Sequence, residues 1–270
     1  MTTIPDTFLP RPLTTRIMAM ANQKGGVGKT TTTVNLAASL ALHGATVLVV
    51  DIDPQGNAST ALGIDHHNDE ILTTYDVVID GKPLDDAIQE CSFSKNLYCL
   101  PAHIDLAGAE IELISMVSRE NRLKNAIAAS EMPWDYILID CQPSLGLLTI
   151  NALTASNEVF IPIQCEYYAL EGVSLLMKTI STVQQHLNPA LHISTVLLTM
   201  YNGSTRLSKS VEDEVRAHFP EQVLKTRIPR QTQMGEAPSY GKTIIEYEPC
   251  STGALAYMEA AREVAAQNVS

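Results

Sequence analysis

The sequence predicts an α/β protein: a single domain built on a mostly parallel, twisted sheet with helices on both faces. Three observations carry this reading. Short, nearly continuous apolar runs recur along the chain, helical periodicity separates each run from the next, and three runs lead into polar chemistry: one into a glycine-rich loop and two into Asp51 and Asp140. Strands buried on both faces look like uninterrupted apolar runs because neither side meets water. Their alternation with helices implies right-handed crossovers, and ligands of such sheets bind beyond the carboxyl ends of the strands.

Taken in order, the first sixteen residues hold Pro5, Pro10, Pro12 and two arginines without a sustained apolar segment. They read as no secretory signal; residues 1–15 are expected to be a flexible arm and 16–270 the folded domain. A first strand is expected over Arg16 to Ala21, a helix from Thr30 to His43 and a second strand from Thr46 to Val50. Asp65 to Glu90 is polar and irregular, with short helices expected there. Leu97 to Leu100 reads as a strand leading into a helix whose apolar positions are Leu106, Ile111, Leu113, Ile114 and Val117. Further strands are expected at Tyr136 to Ile139, Val159 to Ile163 and Ile193 to Met200. A helix carrying Leu170, Val173, Leu175, Leu176, Ile180 and Val183 lies between the last two. The final helix, from about Gly253 to Asn268, bears Glu259, Arg262 and Glu263 and no basic face, which disfavours an anionic membrane surface.

Composition narrows the class. With 270 residues, 45% hydrophobic and 18% charged, the chain can bury a large core, and disorder is the default only at the ends. No apolar run approaches the length of a membrane span. The five cysteines are widely spaced and form no C-x-x-C pair, which argues for reduced thiols in a cytoplasm over a disulfide framework or a zinc site. Nor do the histidines form a catalytic constellation: His66 and His67 fall in a polar loop, and His103, His186 and His218 at helix ends or the surface.

The most informative stretch is Gln-Lys-Gly-Gly-Val-Gly-Lys-Thr-Thr, from Gln23 to Thr31. Between a strand and a helix it reads as a phosphate-binding loop spanning Lys24, Gly25, Gly26, Val27, Gly28, Lys29, Thr30 and Thr31. Glycines let several backbone N–H groups converge on one anion. Lys29 can reach the β- and γ-phosphates, Thr30 can ligate Mg²⁺, and the following helix N-terminus favours the same charge. The common pattern needs glycine where Gln23 stands; here a second lysine, Lys24, precedes the glycine pair. Two further strand ends carry carboxylates. Asp140 closes an apolar run and is placed to hold Mg²⁺ directly or through water; of Asp51 and Asp53, two apart after the second strand, one can bind a metal-bound water and the other can orient an attacking water.

Assembled, these residues resemble the ParA/Soj family of partition ATPases, within the deviant Walker A group of P-loop NTPases that also contains MinD. The resemblance runs from about Thr15 to Ala266. It rests on Asn-Gln-Lys-Gly-Gly-Val-Gly-Lys-Thr-Thr-Thr from Asn22, Asp-Pro-Gln-Gly-Asn-Ala from Asp53, Gln-Cys-Glu-Tyr-Tyr-Ala-Leu-Glu-Gly from Gln164 and Glu-Ala-Pro-Ser-Tyr-Gly-Lys from Glu236. It implies a cytoplasmic, nucleoid-associated ATPase that takes ATP and Mg²⁺ and closes as a homodimer in the ATP state. Hydrolysis would be slow and stimulated by a ParB-like centromere-binding protein. Lys24 would cross to the partner subunit's phosphates, Asp53 would be the catalytic aspartate, and adenine would rest near Pro229 and Gln231. Gln142 stands where the family usually has proline.

Family members also bind DNA without sequence preference, whereas this chain carries a net charge of −12. Between Tyr201 and Ile245 seven Lys and Arg face five acids, so this segment is +2 and the remainder −14. Arg206, Lys209, Arg230 and Lys242 are the expected phosphate contacts, with Ser204 and Gln233 where the family often has arginine. Other readings keep the switch but change the cargo: positioning of a protein assembly, or membrane positioning of the MinD type. A metallocluster reductase would instead need bridging cysteines, for which Cys141 and Cys165 are the candidates.

Overall fold

The computed structural model describes residues 8–68 and 70–267. Its strands are β1 (Arg16–Met20), β2 (Val47–Asp51), β3 (Gln89–Glu90), β4 (Leu97–Leu100), β5 (Tyr136–Asp140), β6 (Glu158–Gln164), β7 (His192–Tyr201) and β8 (Val223–Pro229). The helices are α1 (Lys29–Leu42), α2 (Asn57–Ala61), α3 (Leu84–Ala87), α4 (Leu106–Ser115), α5 (Arg122–Ala128) and α6 (Leu147–Ala155). They continue with α7 (Glu171–His186), α8 (Arg206–His218), α9 (Gln233–Glu236), α10 (Ile244–Tyr247) and α11 (Thr252–Ala266).

The strands form one sheet in the order β3-β4-β2-β5-β1-β6-β7-β8. Every neighbouring pair is parallel except β3 with β4. The expected α/β class and its mostly parallel sheet are therefore observed. Alternation along each strand sorts the core to two faces. Met18, Met20, Val47, Val49, Tyr136 and Leu138 join α1 and α11 on one side. Ala19, Leu48, Val50, Ile137 and Ile139 join α4, α6 and α7 on the other. Because β1 lies between β5 and β6 and β2 beside β5, three strand ends meet at one edge, with Met20 and Asp51 both in register with Asp140.

Differences from expectation have physical causes. In α4 only Leu106, Ala109 and Leu113 are buried, whereas Ile111, Ile114 and, beyond the helix, Val117 face outward. The expected apolar face is thus split. The strand β8 is not evident in the sequence because an edge strand with Lys225 and Arg227 on it lacks an apolar run. Helix α6 is apolar nearly all round and buried, so it shows no periodicity. Short elements do occupy 65–90: α3 and a π-helical turn over Asp76–Asp80. Of the expected arm, residues 1–7 lie outside the described residues. Within 8–15, Arg11 donates to the Gly44 carbonyl at 2.6 Å and Thr15 to the Trp134 carbonyl at 2.7 Å. The final helix ends at Ala266, and Asn268 lies outside the described residues.

Candidate nucleotide site

The loop after β1 is shaped by glycine where the backbone demands it. Gly26 and Gly28 have φ of 74° and 87°, a region costly for residues with a Cβ. Space above Gly25 and Gly26 is open: a Cβ built on either meets nothing within 4 Å. Two side chains pin the loop from outside. Asn22 donates to the Pro162 carbonyl at 2.8 Å and accepts from the Lys24 amide at 3.0 Å, and the Thr199 hydroxyl donates to the Val27 carbonyl at 2.8 Å. Burial lowers the Lys29 pKa, an effect opposed by Asp140, and its Nζ reaches the Lys24 carbonyl at 3.3 Å. Thr30 and Thr31, in the first turn of α1, complete the loop.

Asp140 is fully buried and receives two hydroxyls from α1, Thr30 Oγ1 at 2.7 Å and Thr33 Oγ1 at 2.9 Å. Asp51, also fully buried, accepts from Ser59 N at 2.9 Å, Ser59 Oγ at 2.8 Å and Asp53 N at 3.1 Å. Burial raises both carboxyls well above their ordinary range, and for Asp140 the neighbouring Asp51 adds to the effect. Asp53 differs from Asp51: it lies past the end of β2, half-buried, and its Oδ1 accepts from Gln55 N at 3.0 Å. Hydroxyl and carboxylate oxygens suit a hard cation that keeps several waters. Thr30, Asp140 and Asp51 therefore fit Mg²⁺, which a pair of raised, mutually repelling carboxyls would welcome.

Pro229 and Gln231 line a cavity of about 350 Å³ with Gly28, Thr31, Thr199 and Met200. Gln231 also caps α11, its Oε1 accepting from Gly253 N at 2.7 Å. The phosphate loop and the base-sized cavity thus share Gly28 and Thr31. Lys24 behaves differently. Its ammonium pairs with Glu166, at the end of β6, while its Cβ packs against Gly172.

A family pattern for the AAA domain matches residues 15–193. The sporulation initiation inhibitor protein Soj of Bacillus subtilis is 55% identical over 251 residues, covering 93% of this chain and 98% of that one. The chain belongs to the Soj/ParA family of chromosome-partitioning ATPases. The chromosome partitioning protein ParA of Caulobacter vibrioides is 48% identical over 251 residues, covering 92% of this chain and 93% of its own. Among solved structures, a Mycobacterium smegmatis protein named cobyrinic acid a,c-diamide synthase, with a bound ATP analogue and magnesium, has a TM-score of 0.80. It is 39% identical and covers 93% of this chain and 94% of that one.

For this Soj/ParA-family chain, sequence reasoning missed the residues that hold the named ones in place. Thr33 lies three positions after Thr30 on the same face of α1, a spacing that could have found it. Glu166 lies inside one of the segments that carry the family resemblance. Ser59 and Thr199 had no signal, since only folding brings them to Asp51 and to Val27. Gln142 donates to Glu110 of α4 at 2.9 Å, and a Cβ on Gly146 would lie 2.0 Å from Glu110 Oε1. The glutamine in place of proline therefore ties the loop after Asp140 to α4.

Among the basic candidates, Arg206, Lys209 and Arg230 are exposed and have no ion-pair partner among the described residues. Lys242 pairs with Glu246 at 3.3 Å and lines a second cavity with Thr30 and Thr31. Arg216 and Arg227 share Glu212 and serve the fold. Cys141 and Cys165 are buried, and desolvation pushes Cys165 up to about 11 and Cys141 higher. No helix among the described residues is long and apolar enough to cross a membrane.

Proposed function

We propose that this chain is an ATP-dependent dimerising switch that binds DNA without sequence preference and, with a ParB-like partner, moves chromosomal or plasmid DNA. ATP and Mg²⁺ are its ligands, hydrolysis is slow until the partner stimulates it, and the protein resides on the nucleoid in the cytoplasm. One folded domain over 16–270 carries these activities. The observation that carries the reading is the placement of two lysines on one loop. Lys29 lies under the loop, where it serves its own subunit's phosphates, whereas Lys24 is turned outward to Glu166. An outward lysine beside a triphosphate is suited to a second subunit's ligand, where two facing triphosphates need added positive charge.

Bound magnesium would neutralise phosphate charge and position phosphate oxygens for an in-line displacement. Thr30 and Asp140 would hold it, with Asp51 behind them, and Asp53, free of Ser59 and half-exposed, would orient the attacking water. The relatives with partition names are more similar to this chain than is the mycobacterial protein named as a diamide synthase, which favours partition over amide synthesis. Exposed Arg206, Lys209 and Arg230 supply phosphate contacts that need charge nearby more than one fixed position.

Wild type, Lys24→Ala and Asp53→Ala should be compared for ATP-induced association and DNA binding. The first variant should bind nucleotide but fail to associate, and the second should associate and persist. A wild type that remains monomeric with magnesium and a non-hydrolysable triphosphate would overturn the reading.

A further inference from the structure

Asp53 is held less firmly than its neighbours Asp51 and Asp140, each of which receives hydrogen bonds from a separate element. Among the described residues the one hydrogen bond to the Asp53 carboxylate comes from the Gln55 amide, inside the same turn, at 3.0 Å. That turn closes where Gly56 N donates to the Asp53 carbonyl at 2.9 Å, and Gly56 has φ of 62°. Glycine moves freely through backbone space, so its own stereochemistry does not fix the turn and a contact from outside must.

His66 makes that contact. It is 5% exposed, and a Cβ built on Gly56 would lie 2.3 Å from its Cε1 and 2.6 Å from its Nδ1, so the imidazole fills the space beside the glycine. Thr60 of α2 keeps the ring there. Its Oγ1 is 3.0 Å from His66 Nε2, and its amide donates to the Gly56 carbonyl at 2.9 Å. Exposed His67 packs against His66 with ring centroids 4.2 Å apart, and His103, edge-on to His67 at 6.5 Å, is tied to Asp105 at 2.9 Å. Burial and then His67 lower the His66 pKa, against the Ala102 backbone and Asp65, so the neutral ring is favoured. A buried ring braced by its neighbours and pressed on glycine backbone acts as a wedge, because close-packed groups transmit position.

On the reading that Asp53 orients the attacking water, we propose that His66 is the positioning residue of Asp53, its ring fixing the turn from which that carboxylate works. The contacts run from His66 through Gly56 to Asp53 and do not pass through the phosphate loop. Loss of the wedge therefore slows hydrolysis and leaves nucleotide binding in place.

The test compares full-length wild type, His66→Ala, His66→Gln and Asp53→Ala with saturating magnesium and ATP. Phosphate release in a single turnover gives the hydrolysis rate, a fluorescent non-hydrolysable ATP analogue gives the affinity, and thermal melting checks folding. His66→Ala should hydrolyse ATP about tenfold more slowly, as a small misplacement of a reacting group does, with affinity within about twofold of wild type. His66→Gln keeps a planar group beside Gly56 and a partner for Thr60, and should recover most of the rate. Gly56→Ala reaches the same contact from the other side, since its methyl would displace the ring; it should be slowed like His66→Ala and replaces that variant if melting shows it unfolded. Wild-type hydrolysis by His66→Ala or Gly56→Ala, equal losses of rate and affinity, or a glutamine variant as slow as the alanine one would overturn the proposal. Asp53→Ala separates the two readings. If it hydrolyses ATP as wild type does, the role of Asp53 fails and the wedge with it, whereas a slow Asp53→Ala beside an active His66→Ala rejects the wedge alone.

Discussion

Lys24 and Glu166 form an ion pair across the mouth of the phosphate loop although 142 residues separate them in the chain. Both side chains are about one-third exposed, at 31% and 38%, so water screens the pair and its net worth is about 0 to 1 kcal/mol. A contact that weak restrains Lys24 without trapping it. Glu166→Gln should therefore retain ATP-driven association and reach it at up to about fivefold lower nucleotide concentration, measured by light scattering. Loss of association in this variant would show instead that Glu166 is needed in the dimer.

The pair Asp51 and Asp140 sets a pH dependence. Both are raised by burial, so the folded chain holds protons that the unfolded chain releases. Stability of the empty protein should then fall as pH rises from the ordinary carboxylate range toward neutrality. Asp140→Asn removes one of these ionisations while leaving an oxygen to accept from Thr30 or Thr33. Its melting temperature at neutral pH should exceed that of wild type, with a flatter pH profile and lost magnesium-dependent nucleotide binding. A melting profile parallel to wild type would reject the assignment.

Arg16 and Glu158 form a buried pair, each side chain 8% exposed, with a hydrogen bond of 2.5 Å. Removing one partner leaves a buried charge unpaired, so Glu158→Ala should cost about 3 to 5 kcal/mol in urea unfolding. Replacing both by apolar residues of similar volume should recover most of that loss. If the double variant were no better than the single one, the attraction between the two charges would outweigh the cost of their desolvation.

Cys250 is exposed, whereas Cys91, Cys99, Cys141 and Cys165 are buried. Burial pushes the Cys91 thiol up to about 12, which suppresses the reactive thiolate. A thiol reagent applied to the native protein should modify one site, and Cys250→Ser should abolish the fast phase. Rapid labelling of Cys141 or Cys165 would reopen the metallocluster alternative.

Arg206→Ala, Lys209→Ala and Arg230→Ala combined should weaken DNA retention and flatten its salt dependence. Each cation that no longer neutralises a phosphate should reduce the slope of log affinity against log salt by about 0.9. Unchanged retention would show that this patch does not meet DNA, whereas Lys242→Ala alone should have little effect because Glu246 already neutralises it.

What could be read from the chain was what local chemistry writes locally. The loop from Gln23 to Thr31 shows its purpose in its own order of residues, and Asp51 and Asp140 stand at the ends of apolar runs that could only be strands. By contrast, Ser59 reaches Asp51 and Thr199 reaches Val27 through packing between distant segments, which leaves no trace in spacing. The buried face of α4 is hidden for a related reason: Ile111, Ile114 and Leu113 are alike as residues, and only the fold decides that Leu113 alone points inward. On β8, Lys225 and Arg227 obscure an edge strand.

The order β5-β1-β6 has a consequence for synthesis. The strand that carries the phosphate loop precedes both of its neighbours in the chain, since these are encoded by Tyr136–Asp140 and Glu158–Gln164, and Arg16 closes on the Val264 carbonyl at 2.6 Å. A nascent chain therefore holds β1 without its pairing partners until β5 and β6 have been translated, and such non-local pairing is slow to form. The phosphate loop is therefore set in its final place only once both neighbours of its strand have been made.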